Sequence, residues 1–189
     1  TGMDALTHCV EGFLSNISNP PTEAIALDGT RRVMDFIERA VADGSDREAR
    51  SQMSMAALQG GMAIYMGLGP IHALSMAFGD SPLHHGTLVT VAMPAVMRFY
   101  NGKITGSGLE KYAEAMHLTG DKEAGNRIAD AVSEMNGKLG LPSTVRGMGY
   151  EKTDIDRMVR ECCNSGFNIP APIRPTSDEY EKLVVEVLG

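Results

Sequence analysis

Asp4 and His8 stand four residues apart in "MDALTHCVE" near the start of the chain. That spacing puts both side chains on one face of a helix. Five histidines occur, at positions 8, 72, 84, 85 and 117, and three of them fall between residues 72 and 85. This segment, "GLGPIHALSMAFGDSPLHHG" at 67–86, is also where glycine and proline concentrate. Neutral imidazole is the commonest metal-binding side chain. A carboxylate with three imidazoles makes a four-ligand set suited to iron(II) or zinc(II) and poor for calcium or magnesium.

Each of these residues also has a plainer role when taken alone. Thr1-x-x-Asp4 is a helix-capping pattern, so Asp4 can serve a helix N-terminus, with His8 as its surface partner one turn on. His72 alone reads as a core histidine bonded to a backbone carbonyl, and His85 as an exposed loop residue. His117, outside the glycine-rich segment, reads as surface, and His84 as a neighbour of the site or a bystander. On a helical wheel Asp4 and His8 lie with Ser15, away from the apolar stripe. That face is turned either to water or to a polar cleft.

The elements that must position these side chains read as helices. Met3, Leu6, Val10, Phe13, Leu14 and Ile17 form one stripe at helical spacing, and Asn19-Pro20-Pro21 stops it. A second helix is expected over 22–41. Ser45 and Glu48 match a capping box for a third, whose apolar run Met53 to Met66 predicts a buried helix. Gly60 and Gly61 weaken that run by about 1 kcal/mol each relative to alanine and predict close approach of another helix. A short helix from Pro70 to before Gly79 sets His72 in its first turn. Residues 87–100 follow as a helix carrying Pro94, where a kink is expected. Further helices are expected near 108–117, 121–139, 153–165 and 177–188, the last with a Thr176/Glu179 capping box. No stretch alternates convincingly with period two. The fold class expected is all-α, a bundle of about seven to nine helices in a single domain over 1–189.

The bulk properties narrow the function. A net charge of −7 over 189 residues argues against nucleic-acid binding. Three cysteines, two of them adjacent, build no disulfide framework and suit a reducing, cytoplasmic compartment. No apolar run is long enough to span a membrane. Thirteen methionines and no tryptophan predict an adaptable, aliphatic core. The chain opens inside a helix signature without an initiator methionine, so a piece of a longer protein is expected.

Taken together, "TGMDALTHCVEGFLS", "NPPTEAIAL", "GLGPIHALSMAFG", "HHG" and the closing "PIRPTSDEY" span essentially the whole chain. They resemble the C-terminal helical domain of the iron-containing (group III) alcohol dehydrogenases, within the dehydroquinate synthase-like superfamily. The resemblance implies metal ligands at Asp4, His8, His72 and His85, an Fe(2+) ion with Zn(2+) as the alternative, and NAD or NADP as cofactor. It implies a reaction interconverting an alcohol and an aldehyde or ketone, in which the metal acts as a Lewis acid on the oxygen while hydride passes to or from the nicotinamide.

Two departures accompany it. Met76 stands where the family often has a second histidine, associated with the substrate and nicotinamide end of the cleft. The glycine-rich nucleotide-binding domain of the family is absent from this chain: "GLGPIH" is not G-x-G-x-x-G and no strand precedes it. Three other readings stay open. One is a metal-binding helical domain without independent catalysis. A second is a metal-free helical interaction module, and a third is a zinc enzyme of the same superfamily acting on a polyol or sugar-derived substrate. An exposed, somewhat apolar cleft face is expected to favour a homo-oligomer.

Overall fold

The computed structural model describes residues 1–189. The nine α-helices are α1 (Gly2–Leu14), α2 (Pro20–Ala42), α3 (Arg47–Ala63), α4 (Pro70–Met76), α5 (His85–Tyr100), α6 (Gly108–Ala115), α7 (Ala124–Lys138), α8 (Ile155–Asn164) and α9 (Ser177–Leu188). Short 3-10 turns occupy Ile64–Met66, Arg146–Met148 and Gly166–Asn168, and there is no strand. The expected all-α class holds.

The helix α1 is central. It packs against α2 and α3 on one side and α5 and α6 on others, and Met3, Leu6, Cys9, Val10 and Leu14 are all buried. Because nearly every face of α1 meets another helix, the polar residues it carries are enclosed too. In the rest of the bundle α5 packs on α7, α4 on α5 and α8, and α8 on α9. Met66, Met93, Met97 and Met116 are fully buried, as the methionine content led one to expect, but the largest buried side chains are Tyr100, Tyr112 and Tyr180. The Tyr112 hydroxyl donates to Leu6 O at 3.3 Å, tying α6 to α1.

Several local expectations are met. Asn19 caps α2 through Thr22 N–H, with prolines in its first turn. Thr176 and Glu179 form the capping box of α9. Residues 85–100 are helical, with Pro94 inside the helix.

Others need correction. The first helix ends at Leu14 and not near Ile17. Ser15 leaves helical geometry, its hydroxyl donating to Met66 O at 2.5 Å, and Asn16 N–H donates to Pro170 O at 2.8 Å. These tertiary bonds leave Ile17 half exposed. The cap of α3 is Asp46, which accepts from Ala49 N–H at 3.0 Å, while Ser45 turns back to Asp43.

The apolar run of α3 is not buried all round. Ala56, Gly60 and Ala63 face the bundle, but Met55, Leu58, Met62 and, in the following turn, Tyr65 lie on the surface, Tyr65 88% exposed. The two glycines also part company. A Cβ on Gly60 would lie 2.9 Å from Ala5 O and 3.3 Å from His8 Cβ, so this glycine lets α3 close on α1. Gly61 faces open space.

Candidate metal centre

Three elements deliver the chemistry. The helix α1 carries Asp4, His8 and Glu11 on one face, since steps of four and then three residues keep side chains aligned. His72 lies in the first turn of α4, after Gly69 and Pro70 have started that helix. His85 is the first residue of α5.

The loop between α4 and α5 is pinned through Asp80. Its carboxylate meets Lys152 Nζ at 2.8 Å, Arg157 at 3.1 Å and the Tyr150 hydroxyl at 3.1 Å. Arg157 also donates to Ala77 O at 3.2 Å. These bonds, with Lys152 foremost, hold the Asp80 carboxyl below its usual range. They fix the path by which His85 returns to His72.

The structure brings Asp4, His72 and His85 together, one ligand atom from each lying within 4.8 Å of the others. His85 Nε2 is 3.8 Å from Asp4 Oδ1, and His8 Nε2 is 3.5 Å from the same oxygen. His8 flanks the trio with its ring stacked on that of His72, centroids 5.1 Å apart and 18° from parallel. Ligands held 2.0–2.1 Å from a tetrahedral ion stand about 3.4 Å from one another, so the two carboxylate distances suit a shared ion.

Asp4 Oδ1 and His72 Nε2 are buried and have no hydrogen-bond partner. Buried polar atoms are rarely left so. Here one is an anionic oxygen and the other an imidazole nitrogen, and a divalent cation would satisfy both at once. The donor set fits iron(II) or zinc(II). Burial is the main cause that lowers the pKa of His8, opposed by Asp4 and helped by His72 and His85. Burial likewise lowers His85, again against Asp4. Both rings are therefore neutral at pH 7, the form that binds metal.

His72 is a buried histidine, but its partner is a carboxylate and not a backbone carbonyl. Nδ1 lies 2.6 Å from Glu11 Oε2, and Glu11 Oε1 accepts Ile71 N–H at 2.7 Å. Phe167 meets the His72 ring edge-on, centroids 5.7 Å apart. Glu11 was not among the residues singled out from sequence. The signal was present, because Asp4, His8, Glu11 and Ser15 form one polar stripe along an otherwise apolar helix.

His84 stands at the N-cap position of α5 without a side-chain capping bond, outside the trio, and is exposed. His117 is at the surface, 2.8 Å from Asp35. Met76 ends α4 and is half exposed.

An all-helical domain with a carboxylate and imidazoles converging from a buried central helix and two helix starts is the scaffold of a candidate metal site. The chain belongs to the Fe-containing alcohol dehydrogenase family, as its C-terminal part: the model of that family matches residues 1–188. It is 40% identical over 193 aligned residues to a 4-hydroxybutyrate dehydrogenase of Cupriavidus necator, covering 97% of this chain and 50% of that protein. It is 32% identical to a 1,3-propanediol dehydrogenase of Klebsiella pneumoniae, over 95% of this chain and 48% of that one. Among solved structures, a 1,3-propanediol oxidoreductase superposes with a TM-score of 0.91 at 30% identity, over 100% of this chain and 50% of that one. The chain thus spans about half the length of the curated relatives it matches.

Proposed function

We propose that Asp4, His8, His72 and His85 hold one divalent metal ion, Fe(2+) with Zn(2+) as the alternative. We further propose that this domain serves an alcohol dehydrogenase using NAD or NADP on a small alcohol or its aldehyde or ketone. The observation that carries the reading is the pair of buried, unpartnered ligand atoms, Asp4 Oδ1 and His72 Nε2, facing one another's neighbourhood at the meeting of three helices. Family membership supports the same assignment.

A divalent metal bound here supplies Lewis acidity toward a substrate oxygen. The chain's own residues do the rest. Asp4 provides the one negative charge among the four ligands. His8 and His85, neutral at pH 7, are free to coordinate without first losing a proton. His85, about half exposed, marks the side from which small molecules enter. His72, Phe167 and Glu11 form the closed side.

Hydride transfer belongs to this domain acting with a nicotinamide-binding partner domain, since the chain covers half of each relative. A cytoplasmic location and a homo-oligomeric state belong to the same proposal, the latter supported by the exposed apolar stripe Met55, Leu58, Met62 and Tyr65. No helix is long and apolar enough to cross a membrane.

The test is metal content. The chain, purified without oxygen and offered iron(II) or zinc(II), is expected to take one ion per molecule, and His72→Ala to take none stoichiometrically. Full occupancy in His72→Ala would remove His72 from the ligand set.

A further inference from the structure

We infer that Glu11 is a positioning residue of the metal centre: its buried carboxylate accepts the Nδ1–H of His72 and leaves the Nε2 lone pair aimed at the space shared with Asp4 and His85. The inference rests on the proposed metal reading of that space and adds to it a residue that is no ligand.

Neutral imidazole donates at one ring nitrogen and accepts at the other. A carboxylate only accepts, so a carboxylate 2.6 Å from Nδ1 selects the tautomer whose proton is on Nδ1. The remaining nitrogen, Nε2, is the one that is buried and unpartnered. Glu11 is itself held on both oxygens, Oε2 by the ring and Oε1 by Ile71 N–H at 2.7 Å, and its side chain is 2% exposed. It therefore fixes the backbone at the start of α4 and the ring one residue further on. His8 stacked on one side and Phe167 edge-on set the ring plane.

Gly69 completes the seat. A Cβ there would lie 2.8 Å from Glu11 Oε1, so any larger residue displaces the carboxylate. This gives a physical reason for the second glycine of "GLGPIH". Outer carboxylates of this kind orient a ligand histidine and raise its basicity, and their loss lowers metal affinity about 10–100-fold.

Holding the backbone and holding the ring are separable. In Glu11→Gln the amide oxygen still accepts Ile71 N–H, but the amide nitrogen becomes a donor against Nδ1. That favours the opposite tautomer, with the proton on Nε2, where it blocks coordination. The experiment compares native chain, Glu11→Gln and Gly69→Ala. Histidine tautomers are read by 15N NMR of the metal-free protein, and zinc(II) affinity by calorimetry.

The expected result is an Nδ1–H tautomer for His72 in the native chain, Nε2–H in Glu11→Gln, and zinc(II) affinity at least about 10-fold lower in both variants. An unchanged tautomer in Glu11→Gln, or a changed tautomer with native affinity, overturns the inference. If Glu11→Gln does not fold, Gly69→Ala decides by the same two readouts. A native chain that takes up no zinc(II) or iron(II) refutes the metal reading instead, and the tautomer comparison still decides whether Glu11 commands the ring.

Discussion

At the scale of single residues the centre depends on how closely α3 approaches α1. A Cβ on Gly60 would press on the backbone of Ala5 and the Cβ of His8, so its missing side chain lets the two helices meet beside a proposed ligand. Gly60→Ala must push α3 away or shift His8. It is expected to destabilise the fold by about 1–3 kcal/mol, the usual cost of overpacking, and to weaken metal binding in the same protein. Gly61→Ala, one residue along and facing open space, is expected to stabilise the helix by about 0.5–1 kcal/mol with no effect on metal. Denaturant unfolding with zinc(II) titration separates the two, and equal effects from both would show that contact with His8 does not matter.

The sequence could not tell these glycines apart, since a doublet in an apolar run states no direction. It was more legible along α1. A four-residue step placed Asp4 and His8 together whatever the tertiary fold. Glu11 lies on that same stripe, but acidic residues are mostly solvated, and only the burial of α1 on nearly all sides turns this one inward.

At the scale of elements, the helices were legible because their signals are local: proline and asparagine at the start of α2, the capping box of α9, the 3.6-residue stripes. The burial of α3 was not. Periodicity separates an apolar face from a polar one, whereas a run of methionine, leucine, alanine and tyrosine reads as buried on every side whether or not anything covers it. The meeting of His72 with His85 was equally out of reach, because it depends on the loop pinned at Asp80 from α8 and the segment before it.

The last helix carries an acid-sensitive anchor. Glu179 accepts from Thr176 N–H, completes the cap, and pairs with Lys103 beyond α5. The lysine first, then the capping bond, holds its pKa down to about 2 from the usual 4.5. A depressed carboxylate stabilises the fold above its unfolded pKa and loses that contribution as pH falls toward the folded one. Native protein should therefore lose stability between about pH 4.5 and 2 relative to Glu179→Gln, which lacks the titrating group and starts lower. Thermal unfolding followed across that window checks it, and parallel curves would mean that Glu179 gains nothing from its partners.

At the scale of the whole molecule, the proposed ligand residues come from the central helix and from the starts of two further helices, α4, which packs on α5 and α8, and α5, which packs on α1 and α7. An ion shared by Asp4, His72 and His85 would add a link among α1, α4 and α5 to the apolar contacts and the Glu11 bonds that already join them, and unfolding must release it. A ligand that binds only the folded state stabilises it by about 2.7 kcal/mol at a free concentration a hundred times its dissociation constant. For a chain of this size each kcal/mol moves the midpoint by about 2–4 °C, so zinc(II) at that excess should raise Tm by about 5–10 °C in the native protein. His72→Ala should show no such rise. Because that variant keeps Asp4, His8 and His85, a rise of the same size in it would mean that the ion is held on the open side of the site by α1 and His85. The buried nitrogen of His72 would then serve the packing of α4 and not the metal.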